Sequence, residues 1–110
     1  MEELYREIEE KIALSREEYE EYKSDVQRSV TVAKKLEAFE HILSLLKKGQ
    51  SPEALLADLK EELPGMEEER DREAIYPSFD WYDEHYHYKI LEGWCIAYKE
   101  VIKLLEKERP

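Results

Sequence analysis

Small and apolar residues recur along the first half of the chain in steps of four and three: Ile8, Ile12, Ser15, Tyr19, Tyr22, Val26, Ser29, Ala33 and Leu36. This is heptad spacing, one face of an α-helix. Past Leu36 the stripe widens into Phe39, Ile42, Leu43, Leu45 and Leu46, as deeper burial requires. The pattern predicts one long helix over residues 2–48, about 70 Å at 1.5 Å per residue. Ser24 and Gln27 have the spacing of a capping box, where a second helix could start. The stripe keeps its phase through Ser24, so continuity is the favoured reading. Lys47 and Lys48 suit the negative end of the helix dipole, and Gly49 supplies a C-terminal stop.

Ser51 and Pro52 then read as an N-cap and a first helical residue. Leu55, Leu56, Leu59 and Leu63 give a short helix over residues 52–63, which Pro64-Gly65 would end. Residues 64–79 read as a charged connector. The last helix is expected over residues 80–107, with a stripe of His87, Leu91, Trp94, Tyr98, Val101 and Leu105. Gly93 inside it would let another helix or a large ring come close.

No segment alternates as a strand does. The expected fold is all-α, one helical domain over residues 1–110, in which the long first helix and the last helix form an antiparallel hairpin. A rod of about 70 Å outreaches a partner of about 40 Å. Its N-terminal stripe would lie bare, and bare apolar stripes mark interfaces. A homo-oligomer, dimer or tetramer, is therefore expected. Its contacts would come from Ile8, Ile12, Tyr19, Tyr22 and Val26, with Trp81 and Tyr82 from the aromatic run.

Charge narrows the function. Charged residues make up 41% of the 110 residues, with a formal net charge of -11. Nucleic-acid binding needs a basic face, and so does an anionic membrane surface. Both are excluded as partners, and a basic protein is favoured. Cys95 is the only cysteine, so no internal disulfide forms. The opening MEELYREIEEKI lacks the basic-then-apolar pattern of a signal peptide, and a cytoplasmic setting is expected.

One stretch raises a chemical question: DWYDEHYHY, residues 80–88. On a helix Asp80, Glu84 and His87 share a face, and Glu84 and His87 have the i, i+3 spacing of di-iron bundle proteins. Glu37 and His41 form a second acid–imidazole pair, which an antiparallel hairpin would bring near the first. The same residues also make a good helix start, with Asp80 as N-cap and acids in the first turn. No cofactor is expected. No phosphate loop, Cys-x-x-Cys or His-Glu-x-x-His motif occurs, and Cys95 reads as a packed thiol, so an enzyme is not expected.

Three functions stay open. The first is a binding protein that acts through protein–protein contact and self-association. The second is a metal-binding bundle that uses Glu84 and His87 with Glu37 and His41. The third is an inhibitor whose acidic runs, residues 2–21 and 58–73, mimic nucleic acid. The ending LEGWCIAYKEVIKLLEKE, through Gly93, Trp94, Ala97, Tyr98, Val101, Ile102, Leu104 and Leu105, resembles the last helix of short all-α accessory proteins of bacteriophages and prophages of Gram-positive bacteria. That resemblance implies an accessory or modulator protein and brings no functional residue with it.

Overall fold

The computed structural model describes residues 2–75 and 86–107. These form four helices and no strand: α1 (Glu2–Tyr22), α2 (Val26–Lys47), α3 (Pro52–Ile75) and α4 (Tyr86–Lys107). The long first helix of the sequence reading is thus two helices. The chain turns at Lys23 and Ser24, and Asp25 caps α2. The Asp25 backbone oxygen accepts from the amides of Arg28 and Ser29, and its carboxylate lies 3.4 Å from the Arg28 nitrogen. The cap therefore sits one residue beyond Ser24. Burial explains the turn. Folding back covers Leu4, Ile8, Ile12 and Ser15 against α2, where a rod would leave them in water. Burying an Ile or Leu side chain gains about 1.5–3 kcal/mol. The longest dimension is accordingly 44 Å.

The α2–α3 junction follows the sequence reading. Gly49 adopts φ 108°. The Gly49 and Gln50 amides donate to the Leu46 and Leu45 carbonyls at 3.1 and 3.2 Å, closing α2 in a Schellman motif. Ser51 Oγ then accepts from the Ala54 amide at 3.2 Å, and Pro52 opens α3. Pro64-Gly65 does not end α3, which continues to Ile75. Proline normally removes one helical hydrogen bond and crowds the preceding turn. Here packing along α4 holds the helix on both sides of it. Leu55, Leu56 and Leu59 are buried before it, and Leu63 and Met66 pack on the core around it. Beyond it Glu67 pairs with Lys99, and Arg70 with Glu92.

Cross-helix contacts fix the directions. Lys47–Glu9, Arg16–Glu40 and Lys35–Glu18 run α1 antiparallel to α2. Lys60–Glu106, Lys99–Glu67 and Arg70–Glu92 run α3 antiparallel to α4. The closest pair, α2 and α4, is parallel. Gly93 lies against Thr31, Lys34 and Lys35, whereas Glu100 reaches Lys11, which is level with the C-terminal half of α2. A Cβ on Gly93 would stand 2.6 Å from the Thr31 carbonyl oxygen and 2.8 Å from the Lys34 Cβ. Glycine here is what lets the two backbones meet. The expected pairing of long first helix and last helix therefore splits. The α2 part packs closely on α4 but in parallel, and α1 touches α4 only lightly.

α1 and α3 do not approach each other and lie on opposite flanks of the α2–α4 pair. The molecule is two helical hairpins side by side, related by an approximate two-fold axis along the helices. The sequence repeats with it. AFEHILSLLKK (38–48) aligns without gaps to AYKEVIKLLEK (97–107). Burial matches position by position: Ala38 with Ala97, Phe39 with Tyr98, Ile42 with Val101, Leu43 with Ile102, Leu46 with Leu105. On the outer helices Leu4, Ile8, Ile12 and Ser15 match Leu55, Leu59, Leu63 and Met66, in the same steps of four, four and three. All of these side chains except Ser15 meet in one core toward the end of the bundle where α2 and α4 finish.

Candidate functional site

The described part of the DWYDEHYHY stretch is the start of α4, where His87 is exposed on its first turn. Asp80, Glu84, Trp81 and Tyr82 lie outside the described residues, as does the Val26 side chain. His41 sits exposed on α2, its ring 5.7 Å from that of Trp94, and Glu37 accepts from Lys34 at 3.0 Å. Parallel packing sets the two histidines apart. His41 occupies the α2 position that corresponds to Glu100 on α4, roughly 20 Å along the axis from His87 at 1.5 Å per residue. The antiparallel arrangement that would have joined the two pairs is absent. Among the described residues no three His, Cys, Asp or Glu side chains gather as a metal site.

The expected interface residues also fare unequally. Ile8 and Ile12 are buried inside the chain, so they are core and not a surface for another copy. Tyr19 remains exposed. Tyr22 is half-buried beneath Arg28, whose guanidinium lies 5.0 Å from the ring centre. Both line or neighbour a small open hollow of about 340 Å³ formed by Glu18, Tyr22, Arg28, Thr31 and Val32.

A larger feature lies on the other hairpin. An open groove of about 690 Å³ runs along the α3–α4 seam, lined by Asp58, Glu61, Glu62, Gly65, Met66, Glu69 and Tyr98. Its chemistry follows from helical spacing. Asp58, Glu62, Gly65 and Glu69 fall at i, i+4, i+7 and i+11, one stripe of α3 beside its leucine stripe. Among the described residues four carboxylates line it, and no cation does. Tyr98 forms the floor. Burial, then its 2.8 Å hydrogen bond to Glu62, holds its phenol well above the ordinary tyrosine value. It stays protonated and donates, so it orients Glu62 and is no base.

The groove ends where cations appear. The side chain of Arg70 is only 16% exposed and pairs with Glu67, Asp71 and Glu92. Arg72 pairs with Glu68. The acidic run expected over residues 58–73 thus carries its arginine pairs in its second half, and Lys60 of its first half pairs with Glu106. Next to this network burial pushes the Cys95 thiol above its ordinary range, which keeps it from acting as a thiolate nucleophile.

The repeat supplies a control surface. The same positions on α1–α2 hold Glu7, Glu10, Lys11, Leu14, Ser15, Glu18 and Phe39. There Leu14 stands exposed in place of Gly65, and Lys11 replaces Glu62 and pairs with Glu100. Glu18 pairs with Lys35. One hairpin therefore fills this surface with Leu14 and pairs Glu18 with a lysine, and the other leaves it open at Gly65. Gly65 has no steric reason among the described residues, because a Cβ there would meet none of their atoms within 4 Å. The groove could have been sought in the sequence as acids spaced i, i+4 and i+11 around a glycine. The sequence reading had ended the helix at that glycine.

Comparison with protein-family models, with curated proteins and with solved structures finds no match to this chain. The residues that carry the phage-type resemblance are those that pack α4: Ala97, Tyr98, Val101, Ile102 and Leu105 are buried, and α2 repeats their pattern. Among the described residues no helix is long and apolar enough to cross a membrane.

Proposed function

We propose that the protein is a non-catalytic binding module that captures a basic segment of a partner protein in the α3–α4 groove. One observation carries this reading: four carboxylates surround an open groove whose wall holds a glycine that internal packing does not require. Gly65 would let a partner's backbone come close, and the acids would pair with its lysines or arginines. A phage-type accessory protein that modulates a host protein would act in this way. Self-association loses its first support, since the stripe of Ile8 and Ile12 is satisfied within the chain.

The test is fluorescence anisotropy with a labelled, lysine- and arginine-rich helical peptide, titrated with wild-type protein, with Glu61→Lys/Glu62→Lys, and with the control Glu7→Lys/Glu10→Lys on the matching face of α1. Salt-sensitive binding that the first variant loses and the control keeps supports the groove. Equal loss in both variants would reduce the binding to bulk charge and remove the proposal.

A further inference from the structure

The two hairpins raise a problem of self-recognition. Over 38–48 and 97–107, α2 and α4 present nearly the same apolar face, with matching burial at five pairs of positions. α1 and α3 likewise share one stripe. α1 already lies beside both α2 and α4. Apolar burial alone would seat α1 on α4, and α3 on α2, almost as well as the observed pairs. Much of the apolar contribution is common to the two arrangements, so smaller differences weigh in the choice.

Two of the three ion pairs that join each hairpin are inverted at matched positions, whereas Lys35–Glu18 and Arg70–Glu92 have no counterpart. Glu9 of α1 pairs with Lys47 of α2 at 3.8 Å; the matching positions on the other hairpin hold Lys60 and Glu106, 3.4 Å apart. Arg16 pairs with Glu40 at 3.2 Å; the matching positions hold Glu67 and Lys99, 2.9 Å apart. Exchanging the outer helices would set Glu9 against Glu106, Arg16 against Lys99, Lys60 against Lys47 and Glu67 against Glu40. All four attractions become repulsions. The Tyr98–Glu62 hydrogen bond adds to this, because exchange would leave Glu62 facing Phe39 and Tyr98 facing Lys11.

We propose that these inverted ion pairs are a pairing code, which holds α1 to α2 and α3 to α4 and refuses the exchanged arrangement within one chain or between two copies. Each pair is exposed and individually weak. The code works because matched apolar seams leave little else to choose between the alternatives, as charges set partner choice in coiled coils.

Full-length protein tests it by NMR. Tyr5 donates to the Leu46 carbonyl, and the exchanged arrangement would bring Tyr5 to Leu105 instead. Wild-type protein should show proton contacts of Tyr5 with Leu46 only. Glu9→Lys/Arg16→Glu should give a second resonance set with Tyr5–Leu105 contacts, within or between chains. The doubly reversed variant, Glu9→Lys/Arg16→Glu/Glu40→Arg/Lys47→Glu, makes all four pairs attractive in either arrangement, so it should fold and still show both sets of contacts. The neutral Glu9→Gln/Arg16→Gln should keep one set. A reversed variant that shows only Tyr5–Leu46 contacts, like the neutral one, would overturn the code. If the reversed variant fails to fold, the doubly reversed one decides: Tyr5–Leu46 and Tyr5–Leu105 contacts together uphold the code, and Tyr5–Leu46 contacts alone or a failure to fold overturn it.

Discussion

The hairpins α1–α2 and α3–α4 share an apolar skeleton and differ in their polar positions. Ile42 and Val101, Leu46 and Leu105, and Leu43 and Ile102 occupy matched places at matched burial. Ion pairs at matched places carry opposite signs. Leu14 and Lys11 close one surface where Gly65 and Glu62 open the other. The lesson is a division of labour. Repeated apolar positions supply the stability, and unrepeated polar ones supply the pairing and the candidate binding site.

The comparison breaks first in the core. Leu46→Ala and Leu105→Ala should each destabilise by about 2–5 kcal/mol in chemical denaturation. Their difference should be smaller than either loss. A large loss in one and none in the other would deny that the two hairpins are equivalent.

The two helical glycines should come next and differ in sign. Gly93→Ala would drive a methyl group into the Thr31 carbonyl, 2.6 Å away, and should destabilise by about 1–3 kcal/mol. Gly65→Ala, with open space around it, should stabilise by up to about 1 kcal/mol. It should nonetheless weaken peptide capture in the groove. Thermal or denaturant midpoints and the anisotropy titration separate these effects.

Tyr98→Phe removes the bond to Glu62 and should cost about 0.5–1.5 kcal/mol. Its matched partner Phe39 has no hydroxyl to lose, so the effect is confined to one hairpin. The same tyrosine shapes the alkaline limb. Burial, then the Glu62 bond, raises its folded value above the ordinary 10.0, and burial raises Cys95 above 9.0. The unfolded chain sheds these protons first. Stability is therefore full below about pH 9 and falls as pH climbs through the raised folded values. Unfolding free energies measured from pH 8 upward should decline less steeply in Tyr98→Phe/Cys95→Ala.

Much of the fold was legible in the residues. The helical class came from the four-and-three spacing, and the α2–α3 junction from Gly49 and Ser51-Pro52, because caps are local devices whose hydrogen bonds need only neighbouring residues. Gly93 announced a close approach for the same reason. The break at Lys23–Ser24 and the passage of α3 through Pro64 escaped, since both depend on what lies across the molecule. Glu37 and His41 do not meet His87 because α2 and α4 run parallel, and Asp80 and Glu84 lie outside the described residues. The acidic groove is not legible in the same way, since a Pro-Gly pair reads as a helix end and α3 continues through it.

The sequence by itself determined where helices can form, which stripe each buries, and that segments 38–48 and 97–107 share one pattern. Local spacing and capping carry that information. The tertiary structure alone decided that the first helix folds back and that α2 and α4 run parallel. It also decided that the two copies of the pattern face each other across Gly93. Those choices turn on apolar area covered between distant segments and on the sign of charges that only packing brings together.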